Sequence, residues 1–435
     1  MITDSGPGKL ALLVGGGPAP GINGVISSVT ISAIEQGVEV IGFQDGFKWL
    51  VKGDDRHNRR LTIEEVKGIH IRGGSVLGTS RTNPAKSEAD MSNVLSVLRR
   101  LNVGALVTIG GDDTAFSGSQ VYKRAGGAVR VAHVPKTIDN DLPLPGSTPT
   151  FGFETARHIG VSIVRNLAED ARTTSRWYLI ISMGRAAGHL ALGIGKAAAA
   201  TLTIIPEEFR GRPVLLDEVC DIVIGSIIKR RAGRASYGLV VLAEGLIESI
   251  GERGLDQMDP EHLGRYGHMV RDDHNHLRLG EIEFGRMIKD RLAQMLEELG
   301  LPVSLIDKDL GYELRCADPI PFDAEYTRDL GYGAVKFLRS EESTRFGAIV
   351  SLVGGRLQPL PFEQMINPKT KRMQARKVDV SGEGYECARR YMIRLERRDF
   401  EEPAKLARLA ATVNMTPDQF RQRFEYLVEQ GNSTV

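Results

Sequence analysis

Three short segments concentrate the residues able to do chemistry. The first is Gly15-Gly16-Gly17-Pro18-Ala19-Pro20-Gly21-Ile22-Asn23. Glycines let a backbone approach a ligand closely, and a helix start offers free N–H groups and a positive dipole end. Phosphate binding is one reading, and a tight strand-to-helix turn is the other. A Walker A loop is excluded, because Ile22-Asn23 stands where Lys-Ser/Thr is required; Pro20 likewise replaces the third glycine of a dinucleotide fingerprint. The second segment is Gly110-Gly111-Asp112-Asp113-Thr114. Carboxylates beside a phosphate site point to Mg²⁺ held between them. Helix capping by Asp113 or Thr114 explains one acid well and the pair less well. The third is Lys136-Thr137-Ile138-Asp139-Asn140-Asp141. Here Lys can neutralise phosphate, Asp can take a proton from a hydroxyl, and Thr or Asn can position it. A further group comprises Arg176, Met183-Gly184-Arg185, Glu244 and Tyr312-Glu313-Leu314-Arg315. Its three arginines suit a second phosphate and Glu244 suits sugar hydroxyls, although each taken singly also fits a surface ion pair.

The elements that must carry these segments are legible in the apolar pattern. Residues 9–14 and 38–43 read as strands around a helix at about 22–36. Met91, Val94, Leu95, Leu98 and Leu101 share one helix face, strand 104–109 runs into the second segment, and strand 129–134 into the third. Strand, glycine-rich turn and helix in repetition predict a parallel sheet, with the three loops on its C-terminal edge, where such sheets bind ligands. The prolines of 142–150 predict a crossing between domains. A second series follows: helix 153–171, strand 177–182, helix 187–200, strand 201–205, helix 214–230 and strand 237–243. Residues 249–280 are polar and hold His262, His268, His274 and His276. Their spacing matches no common zinc pattern, so a solvated insertion is the better reading. Helices at 281–299 and 323–338, a strand at 346–353, a charged surface stretch at 368–400 and a helix opening on Thr416-Pro417 complete the chain.

The whole composition narrows the function classes. The chain has 435 residues, which predicts two or three domains. Lys and Arg number 56 against 55 Asp and Glu, a net charge of +1 that argues against a polybasic nucleic-acid binder. Cys220, Cys316 and Cys387 are scattered without a CxxC pair, which fits a reducing cytoplasm rather than a disulfide framework. No apolar run of membrane-spanning length occurs, and the first residues lack the order of a signal peptide.

Taken in order, GGGPAPGIN, GGDDT, PKTIDNDLP, MGRAAGH, IPEE (205–208), AEG and GYELR resemble the phosphofructokinase family over about residues 9–353. NAD kinases and diacylglycerol kinases share a GGDGT-like element but lack the other motifs. The resemblance implies two Rossmann-like α/β domains with the active site in the cleft between them, plus a helical C-terminal extension. The domain bounds expected are 1–150, completed by about 313–360, for the donor; 151–312 for the sugar phosphate; and 361–435 for the extension. ATP-using members carry Gly where this chain has Asp113 and Lys136, and the Asp–Lys pair resembles the pyrophosphate-dependent branch. Electrostatics agrees: a carboxylate 4 Å from the α-phosphate of ATP costs about 4 kcal/mol at an effective dielectric of about 20. By the same resemblance Gly16, Gly17, Arg81 and Lys136 hold pyrophosphate, Asp112 helps hold Mg²⁺, and Asp139 is the base on the sugar 1-hydroxyl beside Thr137. Met183, Gly184, Arg185, Glu244, Tyr312 and Arg315 then bind fructose 6-phosphate. Arg176 resembles an arginine supplied by a neighbouring subunit, so a homodimer or homotetramer with shared sites is implied. Tyr312 departs from the His of the ATP-dependent bacterial enzymes. The alternatives are an ATP-dependent phosphofructokinase and a non-catalytic sugar-phosphate-binding subunit.

Overall fold

The computed structural model of the chain describes residues 8–209, 212–255, 264–267, 282–365, 367 and 375–429. The four histidines between 262 and 276 and the basic stretch 368–374 lie outside them. The chain divides into two units, one of residues 1–156 and 312–376, the other of 157–311 and 377–435.

The first unit is built on strands β1 (Lys9–Val14), β2 (Val40–Phe43), β3 (Asn58–Leu61), β4 (Val103–Gly110) and β5 (Arg130–Pro135). The second unit contributes β6 (Trp177–Ser182), β7 (Leu202–Ile204), β8 (Gly238–Ala243) and β9 (Leu305–Leu310). The chain then returns to the first unit for β10 (Ala348–Ile349), the ribbon β11 (Leu352–Val353) and β12 (Arg356–Leu357), and β13 (Leu360–Pro361). The first sheet runs β13-β10-β5-β4-β1-β2-β3, parallel from β10 to β2 and closed by an antiparallel strand at each edge. The second sheet runs β7-β8-β6-β9 and is wholly parallel. Strands such as Leu-Val-Val-Leu-Ala of β8 are buried throughout, as a parallel sheet covered on both faces demands.

Helix boundaries follow local chemistry. Ser87 accepts the Asp90 N–H to start helix Glu88–Arg100, which buries Met91, Val94, Val97 and Leu98. Thr416 and Gln419 form a capping box around Pro417 at the start of helix Pro417–Phe424, as the sequence predicts.

Several expectations need correction. β3 and β9 lie outside every strand that the sequence predicts, because NRRL and LIDKDL lack an apolar run. The strand expected at 346–353 is two short pieces, since β11 leaves the sheet to pair with β12. Residues 142–150 remain inside the first unit, and the chain passes to the second within helix Phe153–Thr174. The extension from 361 is not one body: it divides at 376/377 between the units. Nor do the described residues of 368–400 merely cover the surface. Met392, Leu395 and Phe400 join the second unit's core, and fully buried Asp399 takes Lys229 at 2.7 Å and Lys405 at 3.1 Å. A charged composition hid apolar anchors and a buried aspartate held by two lysines.

Candidate active site

β1, β4 and β5 are adjacent and parallel, so the loops after them share one edge of the first sheet. The three segments singled out in the sequence meet there. The Gly15 amide donates to the Ile109 carbonyl at 2.8 Å and the Lys136 amide to Gly110 at 2.8 Å, which ties the loops together at their roots.

Glycine is required in these loops for two different reasons. A Cβ on Gly15 or Gly110 would stand 2.4 Å from Thr114 atoms, so both positions are cleared for that buried side chain. Gly16 instead has φ +82°, a left-handed conformation that favours glycine. Its amide is already spent on the Ser80 carbonyl (2.9 Å), and its carbonyl accepts from Thr79 Oγ1 (2.7 Å). Gly16 therefore shapes the loop, whereas the Gly17 amide makes no backbone hydrogen bond among the described residues. This modifies the expectation that both amides cradle the same anion.

Helix Asp112–Ala125 has Gly111 as its N-cap without a side-chain cap bond, which overturns the capping reading of Asp113 and Thr114. Asp112 and exposed Asp113 instead occupy the first turn, where the helix dipole favours negative charge.

Lys136 is buried (5% exposed) and its Nζ donates to the Gly17 carbonyl. Burial, then the positive charges of Arg315 and Arg81, push its pKa down to about 8 against the pull of Asp139 and Asp141. Arg315 stands over Gly17, 3.5 Å from where a Cβ would lie, and stacks on the ring of the exposed Tyr312. Arg315, expected on the sugar, thus stands against the Gly17 loop. Arg81 is exposed beside them.

The third segment is held by many bonds. Thr137 Oγ1 accepts from the Asp139 amide at 3.0 Å, and Thr150 Oγ1 donates to the Thr137 carbonyl at 2.8 Å. Asn140 adopts φ +55°. Arg376 clamps this residue, donating to the Asn140 carbonyl at 3.1 and 3.2 Å, to Asn140 Oδ1, and to the Thr148 carbonyl at 2.9 Å. The Arg376 amide adds a 2.6 Å bond to the Asp141 carbonyl. Sequence reading missed Arg376, which no motif marks.

In the second unit, Met183-Gly184-Arg185 follows β6 and Glu244 follows the neighbouring β8, so they share an edge. The Gly184 amide donates to Glu244 Oε2 at 3.4 Å, and Arg185 is exposed there. A Cβ on Gly245 would lie 2.4 Å from the Arg185 carbonyl, which explains the glycine of AEG. Arg176 precedes β6 and therefore sits at its opposite end. The acids of IPEE prove structural. Buried Glu207 accepts from the Gly188 and Val378 amides, and Glu208 pairs with buried Arg394 at 2.6 Å.

Among the described residues no group of three or more His, Cys, Asp or Glu side chains could hold a metal ion. Mg²⁺ commonly uses one or two carboxylates together with substrate phosphates rather than an all-protein cage. Asp112 at a helix start fits that mode, and Asp141 Oδ1, buried with no hydrogen-bond partner, keeps a spare acceptor on the adjacent loop.

A twice-repeated parallel α/β sheet with glycine-rich loops, a buried lysine and carboxylates on one edge fits a phosphoryl-transfer class. Residues 9–338 match the family described as Phosphofructokinase, and the chain belongs to that family. It is 52% identical to the pyrophosphate–fructose 6-phosphate 1-phosphotransferase of Thermotoga maritima over 97% of this chain and 99% of that protein. It is 48% identical to the Naegleria fowleri protein of the same name, over 99% and 98% of the two chains. Among solved structures, the pyrophosphate-dependent phosphofructokinase of Nitrosospira multiformis superposes with a TM-score of 0.62 at 16% identity, covering 88% of this chain and 90% of that one, a likeness of fold.

Proposed function

We propose that this chain transfers a phosphoryl group reversibly from pyrophosphate to the 1-hydroxyl of fructose 6-phosphate, giving fructose 1,6-bisphosphate and phosphate. The observation that carries this reading is the arrangement of Asp113 and Lys136 on adjacent loops of one sheet edge. Lys136 brings positive charge to the Gly17 loop, where phosphate is held, and Asp113 adds negative charge where a longer donor would extend. Solvent screens part of that repulsion, since Asp113 is exposed.

The roles follow from position. The Gly17 amide, Arg81 and Lys136 bind pyrophosphate, with Gly16 fixing the loop. Asp139 takes the proton of the sugar 1-hydroxyl, and Thr137, bonded to the Asp139 amide, orients the loop beside it. Asp112 is the residue that would hold Mg²⁺, which when bound neutralises charge on the phosphates. Met183, Gly184, Arg185, Glu244, Tyr312 and Arg315 bind fructose 6-phosphate. Arg176 serves the site of a neighbouring subunit in a homodimer or homotetramer, and the enzyme works in the cytoplasm.

Asp113→Gly tests the reading. It is expected to weaken the pyrophosphate reaction and to raise kcat/KM with ATP at least about tenfold, a change of about 1.4 kcal/mol. A variant with unaltered donor preference would remove Asp113 from donor selection.

A further inference from the structure

The second unit encloses a cavity of about 470 Å³ between turn Pro206–Phe209, helix Leu216–Ala232, helix Glu383–Tyr391, the segment around Leu395 and the last described helix. Pockets for small molecules commonly measure about 300–1,000 Å³ and combine an apolar lining with a few placed polar groups. Here Phe209, Ile222, Leu395, Leu427 and Val428 supply the apolar part.

The wall carries four glutamates and four arginines. Of its four glutamates, Glu218 pairs with Arg212, Glu208 with Arg394 (2.6 Å), Glu386 with Arg390 (2.7 Å) and Glu396 with Arg398 (2.5 Å). Two arginines of the wall, the part-buried Arg389 and the exposed Arg397, have no ion pair of this kind among the described residues. Arg389 is the telling one. Its Nη1 is buried and makes no hydrogen bond. Burial, the largest cause, and the neighbouring Arg394 push its pKa down, while Glu208, Tyr385 and Glu396 pull it up. A buried guanidinium nitrogen without a hydrogen bond is uncommon in folded proteins, because the desolvated donor is left unsatisfied.

We infer that this cavity binds a small organic anion, whose phosphate or carboxylate pairs with Arg389 and is reached by Arg397, and whose apolar ring or chain lies against Leu395, Leu427 and Val428. Arg389 presents a planar fork of donors suited to either oxyanion. None of the residues assigned to pyrophosphate or fructose 6-phosphate lines this cavity.

Calorimetric titration of the full chain with phenyl phosphate, benzoate and phenol, in excess fructose 6-phosphate, tests the site. At least one of the two anions should bind, and more tightly than phenol; which one binds identifies the oxyanion. Arg389→Met should weaken that binding at least tenfold and Arg397→Gln severalfold, while Lys136→Ala leaves it unchanged. Binding that survives Arg389→Met, that disappears in Lys136→Ala, or that neither anion shows would overturn the assignment. Thermal unfolding without ligand supplies a second check. Arg389→Met should melt at or above the wild-type temperature, since it removes a buried donor nitrogen that makes no hydrogen bond. A lower melting temperature, or failure to fold, would make Arg389 a structural partner and also overturn the proposal.

Discussion

Lys136 carries a proton that its surroundings make easy to lose. The fold lowers its pKa from 10.5 to about 8 through burial and the charges of Arg315 and Arg81. Two consequences run in opposite directions. Between about 8 and 10.5 the unfolded chain binds the proton and the folded one does not, so this residue's contribution to stability rises with pH in that window. Over the same window the free enzyme loses the charge that we assign to phosphate neutralisation. The predicted kcat/KM for pyrophosphate therefore falls above pH 8, approaching tenfold per pH unit. Lys136→Arg, which stays protonated, should show lower activity but no such limb. A limb that persists in Lys136→Arg would assign it to another group. His133, buried against Thr108 and the Gly110 carbonyl, is held to about 3 and is neutral throughout this range. At this scale the sequence made residue types legible but not their engagements. That Gly16's amide is occupied, or that Glu207 and Glu208 are structural, depends on partners such as Ser80, Val378 and Arg394 brought in by the fold.

The loop after β5 gains its shape from a residue 236 positions away from Asn140 in the chain. Arg376 fastens Asn140 and Thr148, and through its amide Asp141, so Asp139 is presented from a loop closed on both sides. Hydrogen bonds from a charged donor are worth about 1.5–3 kcal/mol each, enough to decide a loop's conformation. Arg376→Ala is expected to lower kcat about tenfold or more while KM for pyrophosphate changes less, and Arg376→Lys should recover part of the loss. Steady-state kinetics would decide: a change confined to thermal stability, with kcat intact, would make Arg376 merely structural. The elements themselves were largely readable, because runs such as WYLIIS and GALVTI are apolar and end in glycine or polar loops. β3 and β9 escaped because strand pairing, not hydrophobicity, makes them strands. Arg376 escaped because nothing in its local sequence distinguishes it from the neighbouring basic residues.

For the whole molecule, Arg176 and Met183 bracket β6, and seven residues at about 3.3 Å each separate them by about 23 Å. Both cannot reach one phosphate within a single subunit, which is the physical ground for giving Arg176 to a neighbour's site. Arg176→Ala and Asp139→Asn, each nearly inactive alone, should regain about a quarter of wild-type activity when co-refolded at random as a dimer, because half the dimers are mixed and each has one intact site. An Arg176→Ala protein that keeps its activity would end the shared-site account at once. The order of motifs along the chain carried the family assignment, whereas the crossing at 376/377 did not show in it, since it leaves no composition break. The central claim is donor identity, and it reduces to one measurement: kcat/KM of the wild-type protein for pyrophosphate and for ATP, with fructose 6-phosphate and Mg²⁺ saturating. A preference for pyrophosphate of about a thousandfold is predicted if the full repulsion of about 4 kcal/mol at Asp113 is felt, and at least about tenfold after solvent screening. Equal use of the two donors, or a preference for ATP, would contradict it.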